Sequence, residues 1–244
     1  MVANRGGVGF SFFRIPRANR WEPVTEIAAV SATQSKWFGA PGETRKLRTR
    51  SVITGPGSAR IHAGYIYAGC NKLNTVTRHR IVDGPSCDEG ELVATEGIEI
   101  PDSAVVSADG AWLAVGDHDH RRVLLYRLGE ASPCGELTDP RMQHPHGVAF
   151  DQTGTLLIVA DAGGRGLYVF RAEESGWTSK QAVATSCTEA VHETVFDRVQ
   201  EETAEMVRSL EGGTKGVDLS RDGRVLVTTC RGQTVRFFEL HAAG

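Results

Sequence analysis

The 244 residues contain no apolar run approaching the roughly 18 residues that a membrane-spanning helix needs, so no helical span is expected. Cysteine is sparse and odd in number. Cys70, Cys87, Cys134, Cys187 and Cys230 form no CxxC pair. That pattern argues against a disulfide framework and against a zinc ribbon, and it fits reduced thiols in an intracellular compartment. GxSxG, P-loop and HExxH motifs are all missing. The glycine-rich start, Gly6-Gly7-Val8-Gly9, does not sit between a strand and a helix and gives no nucleotide signature. Neither sign of charge dominates: 27 Lys and Arg stand against 30 Asp and Glu, for a net charge of -3. General nucleic-acid binding is therefore not expected. The first 50 residues run the other way, with nine basic residues and three acidic ones, a local excess that steers anions if it is exposed on one side. Residues 1–21 hold Arg5, Arg14, Arg17 and Arg20 without an acid, a composition shared with organelle transit peptides. The segment GVGFSFFRI inside them reads better as a strand, and the expected location is the cytoplasm.

Glycine, in contrast, is abundant at 28 residues, and it punctuates an internal repeat. Three stretches align: PDSAVVSADGAWLAVGDHDHRRVLLYRL from Pro101, HPHGVAFDQTGTLLIVADAGGRGLYVFRAE from His144, and GTKGVDLSRDGRVLVTTCRGQTVRFFEL from Gly213. Each has a short apolar strand and a polar turn closed by glycine, at Asp109-Gly110, Thr153-Gly154 and Asp222-Gly223. A strongly apolar strand follows, then a polar loop and an alternating strand. A weaker copy with a shorter turn begins at Ser58, where Cys70 takes the place held elsewhere by Asp117, Asp161 and Cys230. A continuous apolar run marks a strand covered on both faces, whereas alternation marks one that is half exposed. A lone sheet cannot bury both faces, but radial stacking of several sheets can. The expected fold is therefore all-β, a β-propeller of four-stranded blades. Four to five blades are expected, six at most, forming one domain over residues 1–244. The fourth strands are expected in GELVATEGI, GELTD and WTSKQAVAT. The pieces GFSFFRI and RWEPVTEIAAV are expected to supply outer strands that close the ring with the C-terminus.

One segment breaks the repeat. In residues 186–212, Val191, Val195, Val199, Met206 and Leu210 recur at helical spacing. Ser186 and Glu189 suit a capping box, and Gly212 and Gly213 suit a stop. An amphipathic helical insertion is expected there. Its apolar stripe is expected to lie on the propeller, with the alternative that it covers a pocket or meets a partner.

The motif from His144 to Asp161, His-Pro-His-Gly-Val-Ala-Phe followed by Gly-Thr-Leu-Leu-Ile-Val-Ala-Asp, resembles NHL-type and lactonase-type propeller repeats and, more distantly, the gluconolactonase family. The resemblance covers 101–173 and 213–240, weakly 58–100. It implies the propeller fold. For the enzymes it also implies a divalent ion held by a Glu, an Asn and an Asp at the channel mouth. Asp117 and Asp161 offer counterparts for the Asp only.

In a propeller, the loop leading into the innermost strand and the loop leaving the second strand share one face. The repeats place Asp102, His146 and Lys215 at the first position, and Cys70, Asp117, Asp161 and Cys230 at the second. Ligand binding is expected at Asp102, His146, Lys215, Asp117 and Asp161. Repeat-position aspartates have a structural alternative, in which the carboxylate caps backbone N–H groups of its own loop. The Asp117-His118-Asp119-His120 loop mixes carboxylate and imidazole. If a metal such as calcium or zinc is held, Asp117, Asp161 and His118 are its candidate ligands, and His146 and Asp161 are the candidate catalytic pair. His146 suits a general base near neutral pH and equally a hydrogen-bonded core histidine. The expected function is a scaffold that binds a protein or small ligand at its channel face. The alternative is a metal-dependent hydrolase of the lactonase type, in which the metal polarises the carbonyl and lowers the pKa of bound water. Neither nucleic acid nor membrane is an expected partner.

Overall fold

A computed structural model describes residues 55–82, 86–88, 90–204 and 211–240, together with the strands Val2–Asn4, Gly9–Arg14, Thr25–Ser31, Ser35–Phe38 and Lys46–Thr49. Each of the four repeat copies folds into an antiparallel sheet whose strands run outward in chain order. Blade 1 comprises Pro56–His62, Tyr65–Cys70, Thr75–Val82 and Glu91–Ala94, with Ser86–Cys87 added beside the third strand. Blade 2 comprises Pro101–Val106, Trp112–Asp117, Arg122–Arg127 and Gly135–Thr138. Blade 3 comprises Pro145–Phe150, Leu156–Asp161, Gly166–Arg171 and Ser186–Glu189. Blade 4 comprises Thr214–Leu219, Val225–Cys230 and Arg236–Glu239. Neighbouring innermost strands touch in sequence from blade 1 to blade 4. The result is the expected propeller of four blades.

Local chemistry sets each hairpin. In blade 2 the Ser107 hydroxyl donates to Asp109 Oδ1, which also accepts the Ala111 N–H, and Gly110 takes φ 73°. Blade 4 repeats the device with Ser220, Asp222, Arg224 and Gly223, whose φ is 69°. Blade 3 builds the same turn from Asp151 and Thr153, with Gly154 at φ 70°. The shorter turn of blade 1 is a two-residue hairpin with Ala63 and Gly64 both at positive φ (46° and 80°), as a type I′ turn requires.

The core is a series of layers between blades. Trp112–Asp117 is buried at every position. Leu113 and Val115 pack toward Tyr67 and Val76 of blade 1, while Trp112 and Ala114 pack toward Val148, Leu157 and Val159 of blade 3. Period-2 alternation thus feeds both layers from one continuously apolar strand. Ile158, Ala160 and Leu167 of blade 3 meet Val217 and Leu226 of blade 4 in the next layer. Close approach needs glycine at a few points. A Cβ on Gly147 would fall on Lys215 O inside the 3.0 Å that real Cβ atoms keep, and would sit 3.0 Å from Val217 N.

Three expectations need correction. WTSKQAVAT does not supply the fourth strand of blade 3. Ala182–Val183 pairs in parallel with Gly135–Thr138 of blade 2, and Ser186–Glu189 completes blade 3. The cause is Trp177, buried in the layer between blades 2 and 3, with its indole N–H donating to Gly154 O at 2.8 Å. It draws the chain across the edge of blade 2 before the return. The helix, in turn, spans Glu193–Ala204 rather than starting at Ser186. Pairing with Gly166–Val169 takes Ser186–Glu189 into the sheet, where it covers an edge, so tertiary pairing overrides the local capping pattern. The helix lays Val199 against Gly232 of blade 4, and Arg198 donates to Gly232 O at 2.9 Å. Met206 and Leu210 lie outside the described residues. Finally, the N-terminal strands pair with one another in two separate sheets, one of Val2–Asn4, Gly9–Arg14 and Thr25–Ser31 and one of Ser35–Phe38 and Lys46–Thr49. Val2–Asn4 lies along Pro56–His62, and Phe10 packs with Ile66, Ala68 and Cys70 of blade 1. Among the described residues none of them pairs with Arg236–Glu239.

Candidate functional site at the channel mouth

The innermost strand of every blade carries a β-bulge at its second residue. Pairing skips Gly57, Asp102, His146 and Lys215 in the four blades. A bulge turns a side chain out of the regular pleat. Four equivalent bulges around one axis therefore aim four equivalent positions at the same mouth. Three of them carry ionisable side chains. The fourth is glycine, and its missing side chain leaves room for Asn71, whose amide atoms lie 2.7 and 2.8 Å from where a Gly57 Cβ would stand. Asn71 Nδ2 donates to Asp102 Oδ1 at 2.6 Å, and Asp102 Oδ2 lies 3.9 Å from His146 Nε2. Asp102 is only 6% exposed. The second and third blades thus place an acid and an imidazole side by side, with an amide from the first blade holding the acid.

A second group adjoins them. Lys215 Nζ donates to Glu211 Oε2, and Glu211 Oε1 accepts from His118 Nε2 at 2.9 Å. His118 Nδ1 lies 2.6 Å from Asp119 Oδ1, and its ring stacks on His144 with centroids 4.3 Å apart. The hydrogen bonds to Glu211 and Asp119, with Asp102 nearby, outweigh the burial that opposes protonation, and His118 is raised to about 9. Glu211, although burial opposes its charge, is held well below the ordinary carboxylate range by His118 and Lys215. His146 moves the other way. Burial, Lys215 and His118 favour its neutral form more strongly than Asp102 and Glu211 oppose it. His144 is likewise lowered, first by burial and then by the charge of His118. The mouth therefore combines a neutral imidazole, a fixed carboxylate and a cation pair bridged by a carboxylate.

Of the residues expected here, Asp102, His146, Lys215 and His118 come together. Asp117 and Asp161 serve the loops instead. Asp117 is fully buried. Its Oδ1 accepts the Glu99 N–H at 2.8 Å, and its Oδ2 accepts from His120 and Arg122. Asp161 accepts the N–H groups of Gln143, His144 and Gly163, while burial lifts it above the ordinary carboxylate range. Cys70 packs in the apolar cluster of blade 1, and Cys230 bonds to backbone. The Cys70 thiol lies 3.7 Å from the Thr77 hydroxyl, and that of Cys230 donates to Gly212 O. The physical reason is alternation. The last residue of the second strand faces into its loop, and the next residue, Asn71 or His118, faces the axis.

The divalent ion implied by the resemblance would need ligands that converge. Asp117, Asp161 and His118 do not surround a common point. Among the described residues no three His, Cys, Asp or Glu side chains are grouped to hold a metal ion. The residues present do not fit that ligand set. Sequence reasoning also missed Asn71 and Glu211. Asn71 was signalled by its place one residue past Cys70, and Glu211 by its place just before the glycine pair leading into blade 4.

At the opposite mouth, a cavity of about 330 Å³ lies among the far ends of the innermost strands, lined by residues that include Val105, Ala149, Phe150 and Leu219. Arg60 bridges from blade 1 to Asp218 of blade 4 across it at 2.8 Å. Arg60 and Asp218 are paired with one another there, and Asp151 holds its own turn.

Compared with family models and with curated sequences, the chain finds no match. Solved structures do match. Hydrazine synthase of Kuenenia stuttgartiensis aligns with TM-score 0.54 and 16% identity, covering 82% of this chain and 49% of that one. A chain of a nidogen/laminin complex aligns with TM-score 0.53 and 13% identity, covering 82% of this chain and 65% of that one. This chain thus spans less than two thirds of either. At such identity the likeness shows the fold alone, a β-propeller. Among the described residues no helix is long and apolar enough to cross a membrane.

Proposed function

We propose that this chain is a propeller scaffold that binds a small polar ligand at the mouth formed by Asn71, Asp102, His146, Lys215, Glu211 and His118. The observation that carries the reading is the repeated bulge, which aims Asp102, His146 and Lys215 from three blades at one opening. His146 presents a neutral ring with no hydrogen-bond partner among the described residues, next to a carboxylate already oriented by Asn71. Such a pair accepts hydrogen bonds from a ligand without first breaking internal ones. Asp102, Asp119 and Glu211 exceed Lys215 and protonated His118 by one negative charge, which favours a neutral or amine-bearing ligand. Asp117 and Asp161 act in this reading as the carboxylates that hold the mouth's loops. Their full sets of internal hydrogen bonds support binding over the lactonase-type reaction, which would draw on both. The nidogen/laminin likeness extends only to the fold, so a protein partner stands as an outcome of the test.

Ligand-observed NMR with a library of polar fragments tests the proposal. Fragment binding that is lost in Asp102→Ala and in His146→Ala is the expected result. Fragment binding untouched by both variants, or capture of a protein through other faces alone, would overturn it.

A further inference from the structure

We infer that Lys215 and His118 form a carboxylate-binding subsite, and that Glu211 occupies it as an internal stand-in for the carboxylate of a ligand. The inference rests on the proposed binding mouth and names part of what it takes. The geometry is that of a captured carboxylate. Each oxygen of Glu211 meets a different cation, Oε2 the Lys215 ammonium and Oε1 the His118 ring. The two cations come from different blades, Lys215 from the bulge of blade 4 and His118 from the loop after the second strand of blade 2. Glu211 belongs to neither strand. It is carried by the connection from the helix into blade 4, which is anchored just behind it, where Gly213 N–H donates to Ala162 O at 2.8 Å. The acceptor therefore reaches the cations from outside the blade framework, whereas the cations are built into it.

Each cation is set in place. Asp119 orients the His118 ring through Nδ1 at 2.6 Å, and His144 stacks on its face, so that Nε2 points at the carboxylate. His118 is 5% exposed, and the Glu211 side chain is 15% exposed. Asp102 and His146 stand on the same opening, close enough for both Lys215 and Glu211 to bear on the protonation of His146. A ligand with a carboxylate at one end and a hydrogen-bond donor at the other would span the two groups, with its carboxylate in the place of Glu211 and its donor facing Asp102 and His146. An amino acid, with its ammonium as the donor, has that chemistry. Charge-assisted pairing to two fixed cations supplies the recognition.

Removing the stand-in tests the assignment. Glu211→Ala opens the subsite, while Glu211→Gln keeps it filled with a neutral group of the same shape. His118 is followed by NMR titration of its ring, with circular dichroism as the check that both variants are folded. Both variants are expected to lower the protonation midpoint of His118. Added acetate is expected to raise it again in Glu211→Ala, saturably and in the millimolar range suited to so small a ligand. Acetate is expected to have no such effect in Glu211→Gln or in Glu211→Ala combined with Lys215→Ala. Glycine is expected to act at lower concentration than acetate. No saturable response to acetate would overturn the inference, and so would an equal response to chloride or sulfate at matched ionic strength. Either outcome leaves fragment binding at Asp102 and His146 as a separate question, because that binding is measured on the wild-type chain.

Discussion

Substituting alanine at Gly147 probes how closely blades 3 and 4 approach. The new methyl group would meet Lys215 O and Val217 N, both backbone atoms of the neighbouring innermost strand. No rotamer relieves such a contact, so the strands must part. Overpacking of this kind costs about 3 kcal/mol, near the top of the usual range, because backbone must move. Against it stands the stabilisation from a less flexible unfolded chain, about 0.7 kcal/mol for Gly to Ala where φ is permissive. The net expectation is a loss of about 2 kcal/mol. For a chain of this length that corresponds to a fall in Tm of roughly 4–8 °C. With a urea m-value of about 3 kcal/mol/M, the midpoint falls by roughly 0.7 M. Thermal and urea unfolding followed by circular dichroism measure both. The sign decides the matter. If the strands were not in backbone contact, only the entropic term would remain and Gly147→Ala would be more stable than wild type. That outcome would refute the packing described for these blades. Parting the strands also separates His146 from Lys215, so fragment binding at the mouth should weaken in the same variant.

Two other expectations follow from the same geometry. Asp161→Ala strips an acceptor from three backbone N–H groups. At about 1 kcal/mol each it should lose roughly 3 kcal/mol in the same unfolding assays, and a loss below about 1 kcal/mol would show that the loop does not depend on it. Stability should also vary with pH through the His118–Glu211 pair. His118 titrates at about 9 when folded and near 6.5 when unfolded, so its contribution is complete below pH 6.5 and is lost as pH rises through 9. Such a shift corresponds to about 3 kcal/mol, which solvent screening reduces to about 1–2 kcal/mol. Glu211, held below its usual 4.5, contributes above that pH and loses its contribution as pH falls further. Asp119, Asp102, Lys215, His144 and His146 face the pair. His118→Gln should flatten the decline between pH 6.5 and 9 in urea unfolding, and an unchanged slope would contradict the pairing.

The blades were legible in the chain because two local signals coincide in each copy, a glycine at positive φ in the turn and a strand apolar on both faces. Those signals also placed Asp102, His146 and Lys215 at equivalent positions, since a residue at a repeated position inherits a repeated geometry. What escaped has physical causes. Asp117 and Asp161 occupy repeated positions too, but strand alternation turns them into their loops. Asn71 reaches the mouth only because Gly57 lacks a side chain. Glu211 comes from the connection between helix and strand, where no repeat exists to register it. The outer strand of blade 3 was displaced from its expected segment by the burial of a single side chain, Trp177.

The central claim is that blades 2, 3 and 4 set Asp102, His146 and Lys215 around one opening. The protonation midpoint of His146, followed by NMR of its ring in wild type and two variants, tests it most directly. The midpoint should lie below the ordinary 6.5 in wild type, fall further in Asp102→Asn, and rise in Lys215→Ala. A His146 midpoint indifferent to both substitutions would contradict the account, because it would mean that the three blades do not share a mouth.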